Sequence, residues 1–367
     1  MSARARLHTP LCDLLRTGTP IIQAPMAGGP SSPELVAACS AAGALGSFGF
    51  AYTQPEEMER QAALVRAKTD RPFGINLFGS PLPSDVPDAA QRDALACVAG
   101  YYAELGLPAP EPVRAPYGPD FDAQVNAVAK IRPRVFTVHL NGLSAAHIKQ
   151  LKEAGIVIGG SATCVAEAEK LEATGFDFVI AQGGEAGGHR GSYLRDPYAS
   201  LTGTLALTRL IVRAVRVPVV AAGGIMDGAG IAAVLALGAQ AAQLGTAFLP
   251  CPESGAPQAH KDALLAARED ITTITEKFSG KPARGIANRF IREMHARDAA
   301  QLAFPAQNSV TGKLRAASAK AGNPEFLAMW AGQALALSRA LPAAELVARL
   351  EAETLDALRR TYDFVKE

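Results

Sequence analysis

The sequence predicts an α/β fold: a (β/α)8 TIM barrel with an insertion after strand three and a helical C-terminal extension. Three observations carry that reading. Short apolar runs alternate with helical stretches from residue 20 to about residue 250, the rhythm of a parallel sheet buried on both faces. The alternation counts to eight, the number that closes a barrel. No GxGxxG follows the first run, which removes the main support for a doubly wound sheet.

Strand one is PIIQAPMAG at 20–28, and Pro33 opens a helix over 33–42. Strand two covers 45–50, followed by a helix over 55–68 with its charges on one side. Strand three, PFGINLF at 72–78, carries Asn76 near its end. Prolines then break the rhythm over about 80–120, an excursion over one barrel end with a helical piece at 89–105. The alternation resumes with a helix at 122–130 and strand four, VFTVHL at 135–140. Ser144 caps a helix running to 154; strand five spans 156–163 and a helix 165–174. Strand six, FVIA, starts at Phe178. A helix at 205–215, strand seven (PVVAAGGI, 218–225), a helix at 228–237 and strand eight (AAQLGTAFL, 241–249) complete the set. Residues 1–250 are thus the expected barrel. Residues 251–367 are expected to be a helical segment with loops near 279–285 and 304–312, packing on the barrel and closing the active site.

Composition excludes several function classes. The chain of 367 residues is 49% hydrophobic with a formal net charge of +1, which disfavours nucleic acid or an anionic membrane as partner. Five cysteines, widely spaced and without a CxxC pair, suit reduced thiols in a cytoplasmic protein. No apolar run is long enough to span a membrane. No HxH, HExxH or Cys/His spacing suggests a metal, and no GxSxG suggests a hydrolase.

The chemistry gathers at strand ends, where barrel enzymes place their sites. After strand six comes QGGEAGGHRG, in which His189 sits among glycines that let the backbone approach a ligand. Gly223 and Gly224 end strand seven, and Gln243, Leu244, Gly245 and Thr246 lie in strand eight. Freed backbone N–H groups and a hydroxyl there suit a phosphate. Nucleotide, sugar phosphate and FMN all fit that signal. Asn76 and Gln182 offer amides suited to a flavin edge. Ala24, Pro25, Met26 and Ala27 offer a flat apolar surface for a ring. His139, ending strand four, is a second candidate for the mouth or a structural histidine.

QAPMAGG, INLF, QGGEAGGHRG, AAGGI and QLGT together resemble the nitronate monooxygenases of class I. QNSVTGKLRAA at 307–317 and WAGQ at 330–333 extend the resemblance through the tail. It implies an FMN-dependent barrel oxidising alkyl nitronates with O2, with propionate 3-nitronate the characteristic substrate. It places Asn76, Gln182, Gly187, Gly188, Gly224 and Gln243 through Thr246 at the flavin. It makes His189 catalytic and Lys313 a basic residue able to attract a substrate carboxylate. Phe304 stands where the resemblance implies tyrosine, which removes an aromatic hydroxyl.

The implied reaction passes one electron from nitronate to FMN, giving a flavin semiquinone, and yields an aldehyde or oxoacid plus nitrite or nitrate. For a neutral nitroalkane, His189 would act as general base. Two other readings stay open: an NAD(P)H-dependent FMN reductase of quinones or enoyl thioesters, and a non-catalytic FMN- or phosphate-binding protein. The expected partners are small molecules and O2, with the chain a monomer or homodimer.

Overall fold

The computed structural model describes residues 6–79 and 86–364. The opening residues of the expected insertion, 80–85, lie outside the described residues. The barrel strands are Ile21–Gln23 with its continuation Met26–Ala27, then Gly46–Gly49, Phe73–Phe78, Val135–His139, Val157–Ala162, Phe178–Gln182, Val219–Ala222 and Ala241–Leu244. Neighbours pair in parallel around the sheet. The split first strand closes the circuit. Its first half pairs strand eight (Ile22 opposite Gln243) and bridges to Leu45; its second half pairs strand two (Met26 opposite Phe48). The expected α/β barrel is the fold found.

The sequence explains most of the helices between the strands. Ser32, Asp120, Ser144 and Asp227 each accept a backbone N–H in the first turn of the helix they precede. Such caps satisfy donors that a helix start leaves open. Apolar faces of these helices bury against the sheet in clusters that include Val36, Met58, Val128, Leu151, Leu171 and Ile211. Inside the barrel, Ile22, Val135, Phe178, Ile180 and Val220 form one cluster with Leu11 and Leu15 of the short helix Pro10–Leu15. That helix was not expected from the sequence.

Two expectations about the tail are overturned. Residues 279–285 are not simply a loop: Thr272–Thr275 and Ala283–Ile286 pair antiparallel, and Gly188–His189 joins as a third strand. The β-branched run TTIT carries the strand preference that reading the tail as helical passed over. Residues 304–312 likewise hold the helix Ala306–Val310, followed by Gly312–Lys320. Strands seven and eight also end earlier than expected. Gly223 and Gly224 adopt φ of +119° and +68°, values a strand cannot continue through.

The insertion and the tail share a core. Ala94, Val98, Tyr101 and Tyr102 of the helix Asp88–Glu104 bury against Phe278, Phe290, Met294, Leu314 and Phe326. The Tyr102 hydroxyl donates to the Val310 carbonyl at 2.6 Å. The last helix, Ala343–Tyr362, lays Leu346, Val347 and Leu350 against the barrel helices Pro33–Ala41 and Gly228–Ala236.

Candidate active site

A cavity of about 540 Å³ opens at the C-terminal ends of the strands, within the range of small-molecule sites. Its lining includes Ala24, Met26, Ala27, Asn76, Gln182, Gly187, Gly188, His189, Gly223, Gly224, Gln243, Gly245 and Thr246. The structure therefore gathers all but two of the residues singled out from the sequence. Leu244 is a buried strand residue whose carbonyl accepts from Ala24 N at 2.8 Å. Lys313 does not line the cavity: its side chain is 71% exposed and faces Glu111 at 3.8 Å.

Helix geometry explains the displacement of Lys313. Asn308, Gly312, Arg315, Ala316 and Ala319 line the wall, spaced as one helical face. Lys313, two residues before Arg315, projects some 200° away around that helix. Among the described residues, the cation that lines the cavity is Arg315. Counting helical phase through 308–319 would have found it.

The loop after strand six is fixed from within. Arg190 is fully buried and donates to the carbonyls of Gly183 (2.6 Å), Gln182 (3.1 Å) and Ser200 (2.8 Å). The Gln182 amide donates to the His189 carbonyl and accepts from Gly191 N, at 2.9 and 2.8 Å. His139 Nε2 reaches the same His189 carbonyl at 3.1 Å, and its Nδ1 lies 2.9 Å from Ser161 Oγ. Gln182 and His139 thus line the cavity and also hold the His189 backbone. Glu185 accepts from Thr204 N at 2.7 Å and from the Thr204 hydroxyl, which commits its carboxylate to the start of the helix Thr204–Ala214.

His189 is 8% exposed, with Nε2 at 2.9 Å from Ser279 Oγ. Phe78, Phe304 and Trp330 surround its ring, each with centroids 5.6 Å away. Burial, reinforced by the charges of His139, Lys281 and Arg315, pulls its pKa down to about 3. Burial also takes His139 down to about 4, against the opposing pull of its bond to the His189 carbonyl. Both rings are neutral at pH 7. His260, which drew no attention in the sequence, is a third buried histidine on the wall, lowered by burial to about 4.

The opposite side of the mouth carries donors. The N–H groups of Gly224, Gly245 and Thr246 make no backbone hydrogen bond among the described residues. The Thr246 hydroxyl accepts from Gly332 N at 2.9 Å, so its proton stays available. Gly187 packs directly on the Ala331–Gly332 backbone. The WAGQ segment therefore packs against this end, with Trp330 and Gly332 on the cavity wall. The donor set suits a phosphate dianion, and the apolar surface of Ala24, Pro25 and Met26 suits a planar ring. The residues present fit FMN.

Comparison with known proteins identifies the family. The pattern of the family described as nitronate monooxygenase matches residues 8–353. A nitronate monooxygenase of Paraburkholderia phytofirmans is 42% identical over 357 residues, covering 96% of this chain and 97% of the relative. A probable nitronate monooxygenase of Staphylococcus aureus is 39% identical, covering 93% and 95%. Among solved structures, a nitroalkane oxidase from Streptomyces ansochromogenes superposes with a TM-score of 0.88 at 40% identity, covering 96% and 99%. FabK from Thermotoga maritima gives 0.76 at 27% identity, covering 98% and 100%. On the family match and these identities, the chain belongs to the nitronate monooxygenase family.

Proposed function

We propose that the protein binds FMN in this cavity and oxidises alkyl nitronates with O2, propionate 3-nitronate and similar nitro compounds among them. The products would be an aldehyde or oxoacid plus nitrite or nitrate. The observation that carries the reading is His189, a neutral imidazole on an aromatic wall inside the cavity. When bound, FMN supplies the electron acceptor. Gly224, Gly245 and Thr246 would hold its phosphate, and Asn76 and Gln243 would face its polar ring edge. Asn76 donates its amide to Thr137, which leaves its Oδ1 free to accept.

The low pKa of His189 bears on the preferred substrate. Proton abstraction works best with a base whose pKa lies near the working pH. An imidazole held down to about 3 is a poor base for a neutral nitroalkane. A nitronate arrives already deprotonated and needs only to be oriented. His189 would hydrogen-bond its oxygens while Phe78 and Trp330 keep water away. In this reading the barrel is 1–250 and the segment 251–367 closes the site, supported by Arg315, Trp330 and Gly332 on the cavity wall. A cytoplasmic location belongs to the same reading, supported by five unpaired cysteines.

The test is O2 consumption by the flavin-loaded protein with a nitronate, with its parent nitroalkane and with NADH. The nitronate is expected to exceed the nitroalkane by about 10²-fold, the scale of a general-base contribution. Oxidation of NADH with no response to either nitro compound would move the protein to the reductases.

A further inference from the structure

The barrel has a second cavity at its other end. It holds about 290 Å³, and Arg66, Arg71, Arg132 and Arg134 line it together with Asp70 and Phe73. Strand direction places it. Phe73 opens strand three and Arg134 directly precedes strand four, whereas Phe78 and His139, which end those strands, line the candidate active site. The two strands run parallel, so the cavities lie at opposite ends of the sheet. The four arginines come from two connections between helix and strand. Arg66 ends the helix Pro55–Arg66 and Arg71 follows it; Arg132 and Arg134 follow the helix Phe121–Ile131.

Backbone carbonyls orient two of the four guanidinium groups. Arg66 Nη2 donates to the Ile131 carbonyl and, at 3.4 Å, to the Arg132 carbonyl. Arg134 donates Nε and Nη2 to the Leu14 carbonyl at 3.1 and 2.6 Å. Nη1 of both has no acceptor among the described residues, and the exposed side chains of Arg71 and Arg132 donate to none there. No carboxylate of the described residues, Asp70 included, lies within ion-pair distance of any of the four. Asp177, whose charge acts on Arg134, is engaged by Lys152 at 3.3 Å and by Ile158 N at 2.8 Å. Burial, and after it the charge of Arg16, pushes the Arg134 pKa down. Like charges around one small cavity repel each other, and a bound anion relieves that repulsion.

We infer that this cavity is a binding site for a compact polyanion of the oligophosphate class, separate from the donors of Gly224, Gly245 and Thr246. Guanidinium forks match phosphate and carboxylate oxygens. A phosphoryl group spreads its oxygens over a tetrahedron, so forks from two connections share it; a carboxylate offers two oxygens in one plane. The wall supplies no face for a base or a carbon chain. Phe73 is 4% exposed, and the Arg66 guanidinium lies 5.6 Å over its ring. An oligophosphate bound here ties the connection before strand three to the one before strand four, and so stabilises the folded state.

The experiment titrates inorganic pyrophosphate into the flavin-loaded protein by calorimetry at about 0.15 M salt, where diffuse surface attraction is largely screened. Loading with flavin fills the phosphate donors of the other cavity beforehand. The variants are Arg71→Ala, Arg132→Ala, the two combined, and Arg213→Ala. Arg213 is an exposed arginine in the helix before strand seven and does not line the cavity. The side chains of Arg71 and Arg132 make no hydrogen bond among the described residues, so their removal leaves the fold intact. One site with Kd below about 1 mM is expected, and the urea midpoint rises as pyrophosphate is added. Arg71→Ala and Arg132→Ala each weaken binding about 10-fold, the size of one lost charge-assisted hydrogen bond, and shrink the midpoint shift. Arg213→Ala changes neither, and citrate, a polyanion without phosphoryl groups, binds more weakly than pyrophosphate. Absence of saturable binding overturns the inference, as does binding that persists unchanged in the combined variant. An equal loss in Arg213→Ala overturns it too, since the attraction is then diffuse surface charge. Citrate binding as tightly as pyrophosphate overturns the assignment to phosphate.

Discussion

Replacing Gly187 by alanine tests the proposal that the tail seals the site. A Cβ at Gly187 would lie 2.5 Å from the Ala331 carbonyl carbon, 2.7 Å from Gly332 N and 2.8 Å from Ala331 Cα. All three atoms are backbone, so no rotamer change relieves them. Carbon atoms pack at about 3.5 Å or more, and the two segments must part by roughly 1 Å. Parting them stretches the Gly332 N to Thr246 Oγ1 bond (2.9 Å) and the Gln333 N to Glu185 carbonyl bond (3.0 Å). Two lost hydrogen bonds cost about 1 kcal/mol each, and overpacking adds about 1–3 kcal/mol. The expected destabilisation is therefore about 3–5 kcal/mol in urea unfolding, with reduced FMN retention because the phosphate end opens. Gly188→Ala is the control. Its Cβ meets nothing within 4 Å, and only its φ of +76° is strained, a cost of about 1–2 kcal/mol. Equal and small effects of the two substitutions, with normal flavin content, would refute the sealing argument.

Two further outcomes follow from the buried groups. Below pH about 6.5 the unfolded chain protonates its histidines. Folded His139 and His260 stay neutral to about 4, and His189 to about 3. The unfolded state then binds more protons, so stability is complete above pH 6.5 and falls with pH at about 1.4 kcal/mol per unit for each histidine. Urea midpoints at pH 7 and pH 5 measure this, and equal midpoints would contradict it. Arg190→Met strands the carbonyls of Gly183, Gln182 and Ser200; a loss of about 3–5 kcal/mol and of flavin loading is expected, and a change below about 1 kcal/mol in urea unfolding would show that Arg190 does not organise the loop.

The barrel was legible because its signals are local. Apolar runs, Ser and Asp caps and strand-end glycines each act within a few residues, so strands one to eight and most of the site could be read in order. What was missed depends on distant pairing. Gly188–His189 becomes a strand only because Ala283–Ile286 passes beside it. Gln182 was read as a ligand for the flavin edge, yet its amide also ties down the His189 loop. Lys313 came from the resemblance of a motif, which carries no helical phase; two residues on, Arg315 is the one whose position on the helix faces the cavity. His260 was invisible because Trp330 and Leu327, which share its wall, lie some seventy residues on.

The most direct measurement is steady-state oxidation of a nitronate by the flavin-loaded protein and its His189→Asn variant, with flavin content and unfolding midpoint recorded for both. His189 sits at the meeting point of the aromatic wall and the strand-six loop, with its ring buried. The account predicts a fall in kcat/KM of about 10²–10³-fold with FMN retained, the scale of a lost transition-state donor. Undiminished nitronate oxidation by a correctly loaded variant would contradict it.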